Sequence, residues 1–429
     1  MKLAMKLQIK STSVSPFAGI SFVNESFKKI GLCQLIDNEL GARVRFFGYS
    51  YSDILKNYNN IYLSGGDCAE DIQTHLGEYL KSIPDNAVPS ADTLLRGIKE
   101  LSTENSTFES KQGNSYQFNI NKKLNLLNIK TLILTKQLQK GMLYDFDYDN
   151  QIIATEKYDT KHTYKHTRGY FPGVATIGNK IVYVENRDGN ANVKFEQAAT
   201  LTRAYELLQE NGVKINRSRM DAGSYAKDII DVVAKNSKLF YIRANKSEDV
   251  LRQINEIPNW ESVEINYKNY EVASIPFTQF YEEKNYRLVI MREKGNSKQI
   301  DLFTGDTFVY RSILTNDWDG SEKEVIEYYN QRGSSEKVFD VMNNDFGWNR
   351  LPFSFMNENT AYLIITAMLK NFYNYFINLV SETFNDLKPT SRLKRFIFRF
   401  IAVSGKWVYS GRQWVLQLFT KKPYEMLNI

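Results

Sequence analysis

Tyr329, Arg332 and Glu336 stand three and four residues apart, and Asn343 follows seven residues on. A helix over 324–343 would carry all four on one stripe. Such a stripe is often only a solvated helix face, but it can also turn a phenol, a guanidinium and a carboxylate toward one ligand. More carboxylates lie upstream. Asp145, Asp147 and Asp149 alternate with aromatic residues in 141–149, so on a strand all three face one side. An exposed acidic strand face is the plain alternative. Asp221 closes the strand-like run 213–220 and precedes a helical one, where an N-cap role and a ligand role are compatible. Carboxylates gathered in this way offer hard oxygen ligands of the kind that hold Mg²⁺ or Mn²⁺. Two such ions about 3.5–4 Å apart drive phosphodiester cleavage, one activating water or a 3′-hydroxyl and the other stabilising the leaving oxygen.

The surrounding residues make the pattern specific. Tyr328-Tyr-Asn-Gln-Arg-Gly-Ser-Ser-Glu-Lys337 resembles the Y-(2)-R-(3)-E-(6)-K signature of the IS4-like DDE transposases. Asn344-Asp-Phe-Gly-Trp-Asn-Arg-Leu-Pro-Phe353 is similar to the region that follows it in the IS1380 branch. Asp149-Asn-Gln-Ile-Ile-Ala-Thr-Glu-Lys157 with Thr163-Tyr-Lys165 resembles that branch's first-aspartate block, and Arg219-Met-Asp-Ala-Gly-Ser-Tyr225 its second. Thr315-Asn316 falls where the family places a Thr-Asn pair. The resemblance spans residues 140–415.

The resemblance implies that Asp149, Asp221 and Glu336 are catalytic and hold two Mg²⁺ ions, with Mn²⁺ able to substitute. Asp147 is the alternative first ligand. Tyr329 and Arg332 would bind DNA phosphate near the cleaved bond, Arg332 through its fork of N–H donors, and Lys165 would join them. Asn343 stands where the signature has a lysine, which removes one charged phosphate contact; Lys337 points to another face. The implied activity is cleavage at the inverted repeats of an insertion element and strand transfer into target DNA by a cut-and-paste route. The implied partner is double-stranded DNA, with a homodimer in the complex. A nuclease of the same fold without strand transfer, and a transposase-derived DNA-binding protein without catalysis, are the rival readings.

These residues need elements to position them. Residues 15–101 carry helical spacing, as in Ile20/Val23/Phe27 and Ile72/Leu76/Leu80. Ser90 is an expected N-cap, and two helices across a short turn would permit a helix-turn-helix DNA reader, although an ordinary bundle accounts for them as well. The polar, turn-rich 102–121 reads as a linker and 124–138 as a helix. Strands are expected at 141–149, 173–177, 180–185, 213–220 and 238–243, with helices at 197–211 and 225–234 between them, an order that implies a mixed or parallel sheet layered with helices. Short β-branched and aromatic runs at 263–267, 286–291, 300–303 and 307–314 suggest an inserted antiparallel sheet, and helical spacing returns over 321–380.

The expected fold is therefore α/β and multidomain. An α-helical region for DNA-end binding and dimer contacts (1–101) is joined by a linker (102–121) to the RNase H-like core that the resemblance implies (122–246 and 317–385), a mixed sheet with flanking helices. A β-rich insertion (247–316) interrupts that core, and a basic DNA-contacting segment (386–429) follows it.

Charge supports the last assignment. From Leu387 onward nine lysines and arginines face one acid, Glu425, an excess of eight against +6 for the whole chain. So basic an end calls for an anionic partner. Arg392, Arg395 and Arg399 are expected on one helical face, and residues 407–416 as a hairpin turning at Ser410-Gly411. His162 and His166 have i, i+4 spacing without a third metal ligand, so a polar DNA-facing loop fits them better than zinc. Trp260 and Trp318 read as core residues, with base stacking as the alternative.

The apolar window 361–380 is broken by Lys370, Asn371 and Asn374, so no membrane span is expected. No apolar run follows the N-terminal lysines, and Cys33 and Cys68 are the only cysteines. Both features point to a reducing cytoplasm, and the resemblance implies a bacterial protein associated with the nucleoid when bound to DNA.

Overall fold

The computed structural model describes residues 8, 13–43, 48–245, 248–281, 285–295 and 307–427. The expected strand 300–303 and the expected boundary at 246–247 lie outside the described residues. The chain forms two compact units. One comprises Met1–Leu101, Asn344–Gly347 and Ile365–Ile429, the other Ser102–Asn343 and Trp348–Ile364.

The first unit begins with α1 (Ile20–Lys29), α2 (Leu32–Leu40) and α3 (Tyr51–Leu63). A π-helical turn at Ile72–Leu76 leads into α4 (Gly77–Lys81), and α5 (Ala91–Lys99) follows. Ser50 caps α3 in a reciprocal box with Asp53, satisfying two amides that a helix start leaves unpaired. Ser90 caps α5 as expected, accepting from the Thr93 N–H at 3.3 Å. Helix α3 is buried on every side, with only Asp53 partly exposed, so it is the axis around which this unit packs.

The second unit opens with a departure from expectation. Residues 102–121 are not a linker. They contain the hairpin β1 (Ser106–Glu109) and β2 (Ser115–Asn119), and β2 pairs with a strand of the main sheet. After α6 (Lys122–Leu134) come β3 (Leu143–Asn150), a small sheet of β4 (Ile153–Ala154), β5 (Lys161–His162) and β6 (Arg168–Tyr170), and then β7 (Gly173–Ile177) and β8 (Lys180–Arg187). The chain continues through α7 (Gln197–Glu210), β9 (Lys214–Met220), α8 (Lys227–Asn236) and β10 (Leu239–Arg243). Strand β3 pairs antiparallel with β7 but parallel with β9, which pairs parallel with β10.

The segment expected as a separate inserted sheet follows: α9 (Glu248–Asn255), β11 (Glu261–Ile265), β12 (Lys268–Phe277), β13 (Tyr286–Lys294) and β14 (Phe308–Thr315). Its strands are antiparallel, as expected, but they do not form their own sheet. Strand β14 pairs with β10, so the order runs β1-β2-β8-β7-β3-β9-β10-β14-β13-β12-β11 through one eleven-stranded sheet. Thr315 is opposite Tyr241 on one side and Arg287 on the other. Asn316 clamps the start of β10, accepting from the Phe240 N–H and donating to the Lys238 carbonyl, both at 2.9 Å.

A large apolar core that includes Phe146, Leu201, Ile230, Phe240 and Leu314 fills one side of this sheet. A smaller core joins Tyr241, Val289 and Ile313 to Val325, Ile326 and Tyr329 of α10 (Glu322–Asn330). A 3₁₀ turn at Gln331–Gly333 separates α10 from α11 (Ser334–Asp345), so the single helix expected over 324–343 is interrupted.

Helix α12 (Met356–Thr383) begins in the second unit, and its residues from Ile365 belong to the first. No helix among the described residues is long and apolar enough to cross a membrane. The first unit is completed by α13 (Leu393–Phe396), a π-helical turn at Ile397–Ile401, and the hairpin β15 (Gly405–Ser410) and β16 (Gln413–Leu418). The turn falls on Gly411 and Arg412, both at positive φ, the conformation a two-residue hairpin loop requires.

The two ends of this unit meet through backbone. Ser15 bridges Gly405, and a Cβ built on Gly19 would lie 2.4 Å from the Phe400 carbonyl oxygen and 2.7 Å from Ile401 Cα. Neither neighbour is a side-chain tip that could swing aside. Gly19→Ala is expected to destabilise the protein by about 1–3 kcal/mol, read as a lower urea midpoint at unchanged m value.

Candidate active site

The site is built on the parallel pairing of β3 with β9. That register sets Asp147 against Arg219 and Tyr148 against Met220, so one step further Asp149 and Asp221 emerge side by side at the strand ends. The sequence positions the first through alternation with Phe146 and Tyr148, both buried on the opposite face. Asp221 accepts from the Gly223 N–H at 3.0 Å and caps the short 3₁₀ turn at Ala222–Ser224, so the N-cap role expected for it is present.

Each aspartate on this face of β3 meets its own arginine. Arg217 forks onto Asp145 at 3.0 and 2.6 Å, and Arg219 onto Asp147 at 2.7 and 2.8 Å. Arg332 donates to Asp149 at 2.9 Å. The Arg217 and Arg219 guanidinium carbons lie 3.9 and 4.6 Å from the Tyr328 ring centroid, and Arg219 also donates to the Tyr328 carbonyl. Asp147 is only 1% exposed. Burial pushes its carboxyl above the ordinary range, and the hydrogen bonds from Arg219 work against that push. Arg217 and Arg219 were not singled out from sequence, although Arg-Ser-Arg on β9 alternates in phase with the aspartates of β3.

Burial also raises the Asp149 carboxyl, the Arg332 charge opposes this, and the Asp221 carboxylate adds to the rise. Arg332 is itself half-buried; desolvation disfavours its charge, but Asp149, Tyr329 and Asp221 more than compensate. Burial raises the Tyr329 hydroxyl too, with the charges of Arg332 and Arg243 opposing this and that of Asp221 adding to it. The structure thus brings Asp149, Asp221, Tyr329 and Arg332 into one electrostatic neighbourhood.

Glu336 is exposed on the first turn of α11. Among the described residues, the ligand atoms of Asp149, Asp221 and Glu336 do not gather within 4.8 Å of one another; Asp67, Cys68 and Asp71 do. There Asp71 accepts from the backbone N–H groups of Asp67 and Cys68 and so closes a turn. Asn343 approaches the site from the same helix as Glu336, and its side-chain oxygen accepts from the Gln151 amide at 2.8 Å, two residues past Asp149.

Asp149 and Asp221 line a cleft of about 660 Å³ together with Asn150, Tyr164, Phe171, Tyr116 and the turn 189–193. Tyr116 comes from the hairpin mistaken for a linker, and residues 189–193 were not recognised as a wall because no local pattern marks them. The Asn150 side-chain oxygen is buried without a partner. Two carboxylates at adjoining strand ends offer hard oxygen donors of the kind that suit a divalent cation. A groove of about 710 Å³ lies along β11 and β12; of the residues singled out from sequence only Trp260 lines it.

The remaining expected contacts are distributed as follows. Lys165 and His166 are exposed on the loop between β5 and β6, and His162 ends β5, so the two histidines do not share a helix. Arg392, Arg395 and Arg399 do not form one helical stripe. Arg392 is the extended N-cap of α13, and the π-helical turn changes the phase before Arg399. Arg392 forks onto Asp345, Arg395 onto the Asp386 carbonyl, and Arg399 pairs with the Asp386 carboxylate. Trp260 is half-buried, packs against the large apolar core and stacks on Arg292 at 3.9 Å, whereas Trp318, 42% exposed, is not a core residue and donates to the Asn285 carbonyl.

The chain thus presents paired aspartates at adjoining strand ends, with Arg332 and Tyr329 beside them. It matches the family model described as Transposase DDE domain group 1 over residues 2–428, and it belongs to that family of transposases. No curated protein matches it. Among solved structures it is similar to that titled "Cryo-EM structure of piggyBac transposase synaptic complex with hairpin DNA", at 13% identity and a TM-score of 0.39, over 90% of this chain and 79% of that one.

The arginine ladder separates the two candidate first aspartates by a stability measurement. Asp147→Asn leaves the Arg219 charge buried against a neutral partner and is expected to cost about 3 kcal/mol or more in urea unfolding. Asp149→Asn removes a desolvated carboxylate that Asp221 repels, at the cost of one contact with the more exposed Arg332, and is expected to change stability by less than about 1 kcal/mol. Equal losses for the two would show that the ladder does not distinguish them.

Proposed function

We propose that this transposase cuts DNA at the ends of its own element and joins them to target DNA, with Asp149, Asp221 and Glu336 as the metal-binding carboxylates. The observation that carries the reading is the emergence of Asp149 and Asp221 at adjoining strand ends in one cleft, with Arg332 reaching Asp149. Asp147 is the weaker candidate for first ligand, because it is buried and committed to both arms of Arg219. The motif run around Glu336 and Asn344–Phe353 supports the IS1380 branch of the IS4-like transposases. Antiparallel β8, β7 and β3 followed by parallel β9 and β10 support an RNase H-like core.

Glu336 is the member that must approach. It shares its helix face with Asn343, one heptad on, and Asn343 already touches the segment that leaves β3. The 3₁₀ turn at Gln331–Gly333 is a natural place for that helix to pivot. Divalent cations held by these carboxylates, Mg²⁺ or Mn²⁺ and two in number, would polarise the scissile phosphate and activate the attacking oxygen. Arg332 supplies a planar cation to the phosphate, and the Tyr329 hydroxyl, kept protonated by burial, remains a hydrogen-bond donor. Lys165 and Asn343 flank the DNA path. Arg392, Arg395 and Arg399 add positive charge for DNA phosphates. The DNA complex contains a homodimer, each protomer acting on one end.

The test uses purified protein, Mg²⁺ and DNA carrying the inverted repeats that flank the reading frame. Asp149→Asn, Asp221→Asn and Glu336→Gln are each expected to lower cleavage by at least about a hundredfold while DNA affinity is retained. Joined product in the wild-type reaction separates a transposase from a nuclease of the same fold. Essential Asp147 with dispensable Asp149 would move the first ligand by two residues.

A further inference from the structure

The excursion between β3 and β7 carries more exposed aromatic surface than a connecting segment needs. Tyr158 is 81% exposed, Tyr164 69% and Phe355, which meets Tyr158 edge to face at 5.4 Å, 41%. Cations interleave with these rings: Lys161, Lys165 and Arg168 are exposed, and the Lys165 ammonium lies 5.9 Å from the Tyr164 ring centroid. Tyr164 leans edge-on against Phe171 at 5.9 Å, and both line the cleft that contains Asp149 and Asp221.

The loop that presents Tyr164 is held in place rather than floppy. The buried Thr163 accepts from the Lys165 N–H through its hydroxyl and from the His166 N–H through its carbonyl, donates its own N–H to the Thr167 carbonyl, and shares a hydroxyl contact with Thr167. Arg168 ties back to the Thr160 carbonyl and hydroxyl. The whole hairpin is pressed onto the cleft wall at Gly189, where a Cβ would lie 2.3 Å from the Gly169 carbonyl oxygen and 2.9 Å from the Lys161 oxygen. A rigid aromatic ring kept in water next to a carboxylate pair, with ammonium groups around it, is a combination suited to one polymer. Phosphates answer the cations, and base faces answer the rings.

In an intact duplex the base faces are covered by their neighbours, so these rings can be used only by a strand that has left the helix. We propose that the 157–171 hairpin is a single-strand clamp. Tyr164 stacks a base of the unpaired DNA strand next to the scissile phosphate, Tyr158 offers a second platform, and Lys161 and Lys165 follow the backbone. This rests on the proposed function for the position of the scissile phosphate, but the stacking itself is independent of catalysis.

The test is an anisotropy titration of the full chain, in EDTA to prevent cleavage, with a blunt duplex and the same duplex carrying a short single-stranded extension. Wild type is expected to prefer the extended DNA. Tyr164→Ala should lose roughly tenfold on that DNA and nothing on the blunt one, Tyr164→Phe should retain the preference, and 2-aminopurine in the extension should be quenched by wild type but not by Tyr164→Ala. Lys165→Ala should weaken both complexes and flatten the salt dependence by about one ion. Equal losses of Tyr164→Ala on the two DNAs, no wild-type preference, or unchanged quenching in Tyr164→Ala would each overturn the clamp. Gly189→Ala gives a check that spares the ring: it should reduce the preference by displacing the hairpin, with thermal unfolding confirming a folded protein. Asp149→Asn should abolish cleavage and keep the single-strand preference. If it still cleaves, the catalytic assignment fails and the clamp stands.

Discussion

The pair that the second unit depends on is Asp147 with Arg219. Both are almost fully buried, and their forked contact crosses between the two parallel strands at the centre of the sheet. A buried ion pair of this geometry adds little net stability over an apolar pair, but it strongly disfavours any arrangement that leaves one charge alone. A one-residue slip of β9 would do so, placing Ser218 or Met220 against Asp147. The pair therefore works as a register key, and the register is what delivers Asp149 and Asp221 to the same strand ends.

Much of this was legible because it is local. Three aspartates alternating with aromatic residues announce a strand with an acidic face, Asp-Ala-Gly-Ser after the strand-like run 213–220 announces a strand end, and Ser90 announces a helix start through the amide it caps. Which strand lies beside β3 is a long-range choice, so the arginine partners went unseen even though their spacing was in plain view. Residues 102–121 were misread because Lys111, Gln112, Gly113 and Asn114 of the turn dominate the composition, while the alternation of Phe108, Tyr116 and Phe118 is short. Strand β12 was missed for a similar reason: Pro276, tolerated near its end, is a residue that argues against a strand.

The insertion and the stripe show a different limit. Residues of β11 to β14 carry an antiparallel signature, but nothing in their sequence says that β14 will pair with β10 and extend the main sheet. The stripe of Tyr329, Arg332 and Glu336 assumed one continuous helix. Gly333 and the 3₁₀ turn break it, leaving Tyr329 in the core and Arg332 at Asp149 while Glu336 faces solvent. Spacing defined which residues belong together, whereas the break determines which of them arrive first.

The graded burial along β3 also has a consequence for how such a chain can change over generations. The half-exposed Asp145 and Arg217 can drift separately, since water can solvate whichever charge is left. Asp147 and Arg219 can be replaced only together, as a compensated exchange that preserves neutrality and volume, so among descendants the two columns should covary. Under the proposed function Asp149 has no such escape through its neighbours, because its replacement is constrained by chemistry and not by packing. One strand of eight residues thus spans three regimes of inheritance, from free variation through obligatory coupling to fixity, in the order in which its side chains leave solvent and reach the cleft.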